Sequence, residues 1–270
     1  LNFGEYNGGR IFDYEEVGVI TKDMSFDDYL YLRTIALFVE SLHNGKPFNE
    51  FFLYAKNFNI QPATFLRILN DNIKNSSPEI QNLMKEFNNE TNNELWDSEK
   101  DLLEYYRKDE NYLKLKNGEI GGNLIYKYKS KNLVENSLAW LDFFEKELYK
   151  AIVAKQNNIK NTDQIRLEIG EVSKFCKMKL HGLLNPKINS SQISSNFKYD
   201  ILKWVDNYET NSNLSNYKFK YEEKLFFEYT KDQILIRNDV FKRYGTSINA
   251  LSKIVTRISN LESQFRKVRY

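Results

Sequence analysis

Pro47, Pro62 and Pro78 punctuate the first third of the chain. Proline lacks a backbone N–H and fixes φ, so it interrupts a helix anywhere except in its first turn. Each of the three stands at the head of a run with helical apolar spacing: "PFNEFFLYAKNF", "PATFLRILNDNI", and the longer stretch 77–116, with polar, Asn-rich breaks around Asn88–Asn93. This part of the chain is thus cut into short helices with short links, which predicts antiparallel neighbours packed as a bundle.

The same grammar extends to both sides. Residues 10–20, "RIFDYEEVGVI", alternate imperfectly and read as an extended segment or strand. "SFDD" then places Ser25 three residues before Asp28, a capping-box pattern that predicts a helix over 26–43. Phe26, Tyr29, Leu30, Leu37 and Leu42 form its apolar stripe, and Asn44 and Gly45 supply the left-handed stop. Further on, "KNGEIGGNLIYKYK" holds Gly118, Gly121 and Gly122 but matches neither a Walker pattern nor GxGxxG, so it reads as a loop between helices. A long helix is predicted from Leu133 to Gln156, with Leu138, Leu141, Phe144, Leu148 and Ile152 facing inward, and another over 163–184. "YKFKYEEKLFFEYT" predicts a small strand or hairpin near 217–229. Thr230 caps the next helix, and after Gly245 a last one restarts with Thr246 or Ser247 as its cap. The fold class is therefore mainly α: a multi-helix bundle with a short N-terminal extended segment and little β-structure near 217–229.

Composition narrows the function classes. Hydrophobic residues make up 41% and aromatics 15% of 270 residues, enough for a sizeable core and unlike a disordered chain. The net charge of +2 gives no global pull toward nucleic acid or an anionic membrane, so no nucleic-acid partner is expected. No run of about 18 apolar residues occurs, so no membrane span is expected. The single cysteine, Cys176, provides neither a disulfide framework nor a cysteine-held metal site, and a lone thiol suits a reducing, cytoplasmic setting.

Reactive side chains are sparse. His43 and His181 are the only histidines, and His43 suits a helix C-terminus better than a metal. Cys176 and His181 are five apart and do not share a helix face, so they make no nucleophile pair. The carboxylates of "DYEE" (Asp13–Glu16) and of Asp27 and Asp28 read as capping or solvated groups. Lys242, Arg243, Lys253, Arg257, Arg266, Lys267 and Arg269 are interspersed with acids and read as a solvated helical face. Arg33 stands out, because it falls among Tyr29, Leu30, Ala36 and Leu37. A half-buried guanidinium requires an anionic partner. That partner is either an acid of "DYEE" or a group on a neighbouring domain or substrate.

Both ends of the chain carry a recognisable pattern. "YEEVGVITKDMSFDDYLYLRTIALFVESLHN" resembles the segment that follows the catalytic barrel in radical S-adenosylmethionine proteins of the cobalamin-binding-domain type, through Tyr14, Glu15, Glu16, Val17, Val19, Thr21, Met24, Ser25, Asp28, Tyr29 and Arg33. "FFEYTKDQILIRNDVFKRYGTSINALSKIVTRI" and "FRKV" resemble the tail of the same family. The family's three-cysteine CxxxCxxC motif and cobalamin domain are not in this chain. The resemblance therefore implies a C-terminal accessory region of a larger enzyme. The 4Fe-4S cluster, the S-adenosylmethionine site and any cobalamin site would lie upstream, and this chain would hold no cofactor and no catalytic residue of its own.

On that reading residues 1–24, which do not begin with methionine, are the trailing edge of the upstream catalytic domain, extended and without a strand to pair with. Residues 25–190 form the helical bundle, and 191–270 a C-terminal helical subdomain with a short strand. The partners are the upstream domain and an unknown substrate, and Arg33 is the residue to face one of them. A stand-alone helical interaction or scaffold domain is the alternative.

Overall fold

The computed structural model describes residues 1–155, 161–186, 188, 192–257 and 261–270, without the side chains of 256 and 257. The fold is mainly α, with an antiparallel hairpin at one end of the chain and a three-stranded antiparallel sheet near the other.

The hairpin pairs β1 (Asn2–Tyr6) with β2 (Gly9–Asp13). Asn7 and Gly8 both take positive φ, 50° and 76°, the conformation that a two-residue hairpin turn demands. Residues 10–20, read as an extended segment or strand, are strand only as far as Asp13, and residues 1–24, expected to hold no strand pair, do contain a paired strand. Residues 14–19, "VGV" included, join no ladder. "YNGG" was the hairpin signal. The hairpin packs on α5 (Glu99–Tyr106) and α6 (Asp109–Lys116), where Phe12, Tyr106, Tyr112 and Leu115 form a small second core. Arg10 locks it there: it pairs with Asp109 at 2.6 Å, donates to the Arg107 carbonyl and lies 4.2 Å from the centre of the Tyr112 ring.

Helix α1 (Phe26–Phe38) begins with the predicted capping box. The Ser25 hydroxyl accepts from the Asp28 N–H at 3.2 Å, and the Asp28 carboxylate accepts from the Ser25 N–H at 2.9 Å. A π-helical turn, Val39–His43, completes the 26–43 span. The left-handed stop falls on Gly45 and Lys46, while Asn44 is extended. Pro47 lies ahead of α2 (Asn49–Lys56) and outside its first turn, whereas Pro62 and Pro78 each open their helices, α3 (Pro62–Asp71) and α4 (Pro78–Asn93). The Asn-rich stretch 88–93 does not break α4: its polar side chains line a mostly exposed face, while Phe87 and Thr91 hold the buried one.

α7 (Leu124–Ser130) runs into a second π-helical turn, Lys131–Glu135, before α8 (Ser137–Lys155). The long helix expected from Leu133 thus starts in a π-turn, and its predicted end at Gln156 lies outside the described residues. Leu141, Phe144, Leu148 and Ile152 are buried as expected, but Leu138, in the first turn, is exposed. The two π-turns meet through a buried polar chain. Trp140 donates to Asn132 and Asn132 to Ser41, both at 2.9 Å, and Ser41 donates to the Leu37 carbonyl. At the centre of the bundle Phe144 is ringed by Phe48, Phe51, Phe52 and Phe65, at 5.0 to 5.8 Å between ring centres.

α9 (Thr162–Leu180) stops four residues before the predicted end, where Gly182 and Leu184 take positive φ. β3 (Gln192–Tyr199), α10 (Ile201–Asp206) and β4 (Lys218–Glu228) follow. The β-structure near 217–229 is one strand and not a self-contained hairpin: β4 lies between β3 and β5 (Lys267–Arg269). Phe197 of β3 and Phe227 of β4 pack on Phe175 of α9. α11 (Lys231–Tyr244) has a capping box of Thr230 and Gln233, and Ser247 caps α12 (Ile248–Arg257), which packs on α7. One contiguous core runs from Leu37 to Phe265, so the C-terminal elements bury their apolar faces against the bundle.

Candidate functional site

A cleft of about 910 Å³ opens between the C-terminal end of α4, the end of α5, the loop before α7 with the start of α7, and α12. Sequence order explains its shape. α4 ends at Asn93, and the turn through Trp96 redirects the chain into α5. The loop 117–123 turns on Gly118 and Gly121, with φ of 71° and 73°; a Cβ at Gly121 would sit 2.5 Å from Leu115. This loop, expected to be a plain connector, does join two helices, and it also forms one wall of the cleft. Asn249 of α12 donates to the Gly118 carbonyl at 3.0 Å and ties the two walls together.

Aromatic rings and charges share the lining. Trp96, Tyr105 and Tyr106 pack mutually, with ring centres 5.0 to 5.8 Å apart. Glu90 is neutralised: Lys127 contacts both of its oxygens, at 2.7 and 2.6 Å, and the Tyr128 hydroxyl donates at 2.9 Å. Burial and the Glu90 carboxylate push that tyrosine hydroxyl well above its ordinary range. Glu94 differs. It reaches the cleft, yet the surrounding protein strips away part of its hydration, and this desolvation holds its carboxyl above the usual value. The positive charge of Arg33 is the strongest opposing influence, followed among the cleft's own residues by Glu90, which adds to the rise, and Lys127, which opposes it.

Arg33 is half-buried, and its Nε finds no hydrogen-bond partner among the described residues. The acids of "DYEE" do not pair with it; its positive charge instead acts on Glu94, opposing the rise of that carboxyl. Within "DYEE", Asp13 accepts from Asn2 inside the hairpin, and the Tyr14 hydroxyl is raised by its hydrogen bond to Glu99.

The other candidates have structural roles. His43 packs edge-on against Phe52 at 5.0 Å. His181 ends α9, and burial, with Arg266 and Lys177 nearby, depresses its pKa. Cys176 is fully buried and donates to Glu50; burial raises its thiol well above the ordinary range, so it is no nucleophile. Lys242, Arg243, Lys253, Lys267 and Arg269 are exposed, as a solvated face requires, but Arg266 is buried. No group of three metal-ligating side chains occurs among the described residues. One buried cysteine cannot hold a thiolate-ligated cluster, so an iron–sulfur group does not fit this chain.

Sequence reasoning missed Trp96, Tyr105, Tyr106, Glu90, Glu94 and Lys127. One signal was present in "LWDSEKDLLEYYRKD", where aromatics gather in a strongly charged stretch too poor in aliphatic residues to make an ordinary core helix. The cleft can bind and orient a ligand by ring contacts and by its carboxylates, of which Glu94 is partly desolvated. It offers no activated nucleophile. No family model matches the chain, nor does any curated protein or any solved structure.

Proposed function

We propose that this chain is a non-catalytic C-terminal region of a radical S-adenosylmethionine enzyme, and that its cleft binds part of the substrate or a partner segment beside the upstream domain. The observation that supports this reading is Arg33 itself, half-buried, with an Nε that has no hydrogen-bond partner among the described residues, and with a positive charge that acts on Glu94 of the cleft. Arg33 belongs to the residue pattern that resembles the family, and Glu94 is the cleft's partly desolvated carboxylate. The first part of that pattern is consistent with a connector: residues 14–19 join no strand, and Val17 is 55% exposed.

The cleft's aromatic rings supply contact area, and the partly desolvated Glu94 supplies a polar contact. The region thereby shapes access without touching the radical chemistry, which belongs upstream. The test uses the whole reading frame, purified anaerobically. Arg33→Met and Trp96→Ala should leave S-adenosylmethionine consumption in place while uncoupling it from substrate modification. Variants that leave modification of the substrate at the wild-type level would remove the cleft from the function.

A further inference from the structure

Arg237 of α11 is only 6% exposed, and neither its Nε nor its Nη1 finds a hydrogen-bond partner among the described residues. No carboxylate lies within ion-pair distance of it among the described residues, and the neighbouring acid in its helix, Asp239, is held by Arg243 at 2.7 Å. The residues outside the described set include no Asp or Glu, so none of them brings a countercharge.

A second guanidinium contacts the same ring as Arg237. Arg237 and Arg266 both lie over the Tyr229 ring, at 4.8 and 4.2 Å from its centre. Arg266 is anchored: its Nε donates to the His181 carbonyl at 2.8 Å and its Nη1 to the Phe227 carbonyl at 3.3 Å. Tyr229, buried as well, donates to the same His181 carbonyl at 3.1 Å. Burial holds the Tyr229 hydroxyl above its ordinary pKa in spite of the two cations, so it stays a neutral phenol and supplies no negative charge. Ring contact offsets only part of the cost of burying a cation, and two like charges on one ring add to that cost.

We infer that Arg237 and Arg266 form a binding site for a small oxyanion, a phosphate or carboxylate group held by the free edge of Arg237 against the fixed guanidinium of Arg266. Planar guanidinium forks match such groups in geometry and charge. The site is far in sequence from the residues of the cleft wall on α4–α7, and it is tested on this chain alone, independently of the proposed parentage.

The experiment is a thermal melt at fixed pH and ionic strength in chloride, inorganic phosphate and acetate. The wild-type chain should gain a few degrees, saturably, in phosphate or in acetate, and the more effective anion identifies the class. Arg237→Met should melt no lower than wild type in chloride, because it removes an uncompensated charge, and should lose the saturable gain. Arg237→Lys, which keeps the charge without the fork, should retain a smaller gain. No saturable gain with either anion in the wild type, or an equal gain in wild type and Arg237→Met, would overturn the site.

Discussion

Lys179 donates to both carboxylate oxygens of Glu50, at 2.8 and 2.6 Å, from inside the core, and Cys176 donates to the same carboxylate at 3.1 Å. Both charged side chains are buried, so neither tolerates loss of the other. Lys179→Met should cost about 3–5 kcal/mol in urea unfolding, since it leaves a buried carboxylate without its countercharge. Adding Glu50→Leu should recover much of that loss. Equal costs for the single and the double variant would show that the pair is not coupled.

The cap of α1 gives a second expectation. Ser25→Ala should lower stability by about 1 kcal/mol, as lost N-caps do. The hydrogen bonds from the Ser25 hydroxyl and N–H hold the Asp28 carboxyl below its ordinary value. A depressed carboxylate stabilises the fold above its unfolded pKa, and that contribution fades as pH falls through the folded value. The difference between wild type and variant should therefore shrink in strong acid. A difference that is constant with pH would disconnect the cap from Asp28.

Glu94 should behave in the opposite sense. Its folded pKa is raised, chiefly by desolvation, so its contribution is most favourable below the ordinary glutamate value and is lost as pH rises through the folded one. Glu94→Gln should flatten the melting temperature over that interval and leave it unchanged at lower pH. Superimposable pH profiles for variant and wild type would place Glu94 in ordinary solvent.

The hairpin and the α5–α6 pair share a core separate from the main one. Removing residues 1–13 should therefore speed amide exchange across 99–116 while the protected amides of α8 and α9 stay slow. Uniform loss of protection would show that the hairpin belongs to the main folding unit.

Helix boundaries were legible where the signal is local chemistry. Ser25 with Asp28, Thr230 with Gln233, and Pro62 and Pro78 each act within one turn of their own position, and each opens a helix where its residue type predicts. The strands were less legible because their partners are distant. β4 pairs with β3 across α10 and with β5 near the chain's end, and no local pattern encodes that register. Asn7–Gly8 encodes the hairpin turn in two residues, whereas the longer, strand-like "VGVI" has no partner among the described residues. The cleft was nearly invisible, because Glu94, Gly121 and Asn249 meet only through the packing of α12 on α7. Arg266 was misread for the same reason: charge in the sequence suggests solvent, and only the β4–β5 pairing and the turn after α9 bury it.

The most direct test of the proposed parentage is iron content in the whole polypeptide, purified anaerobically from its complete reading frame. The account predicts about four irons per chain, ligated by three upstream cysteines and retained in full by Cys176→Ser. A complete reading frame without that cysteine triad, or a polypeptide that holds no iron after reconstitution, would contradict it.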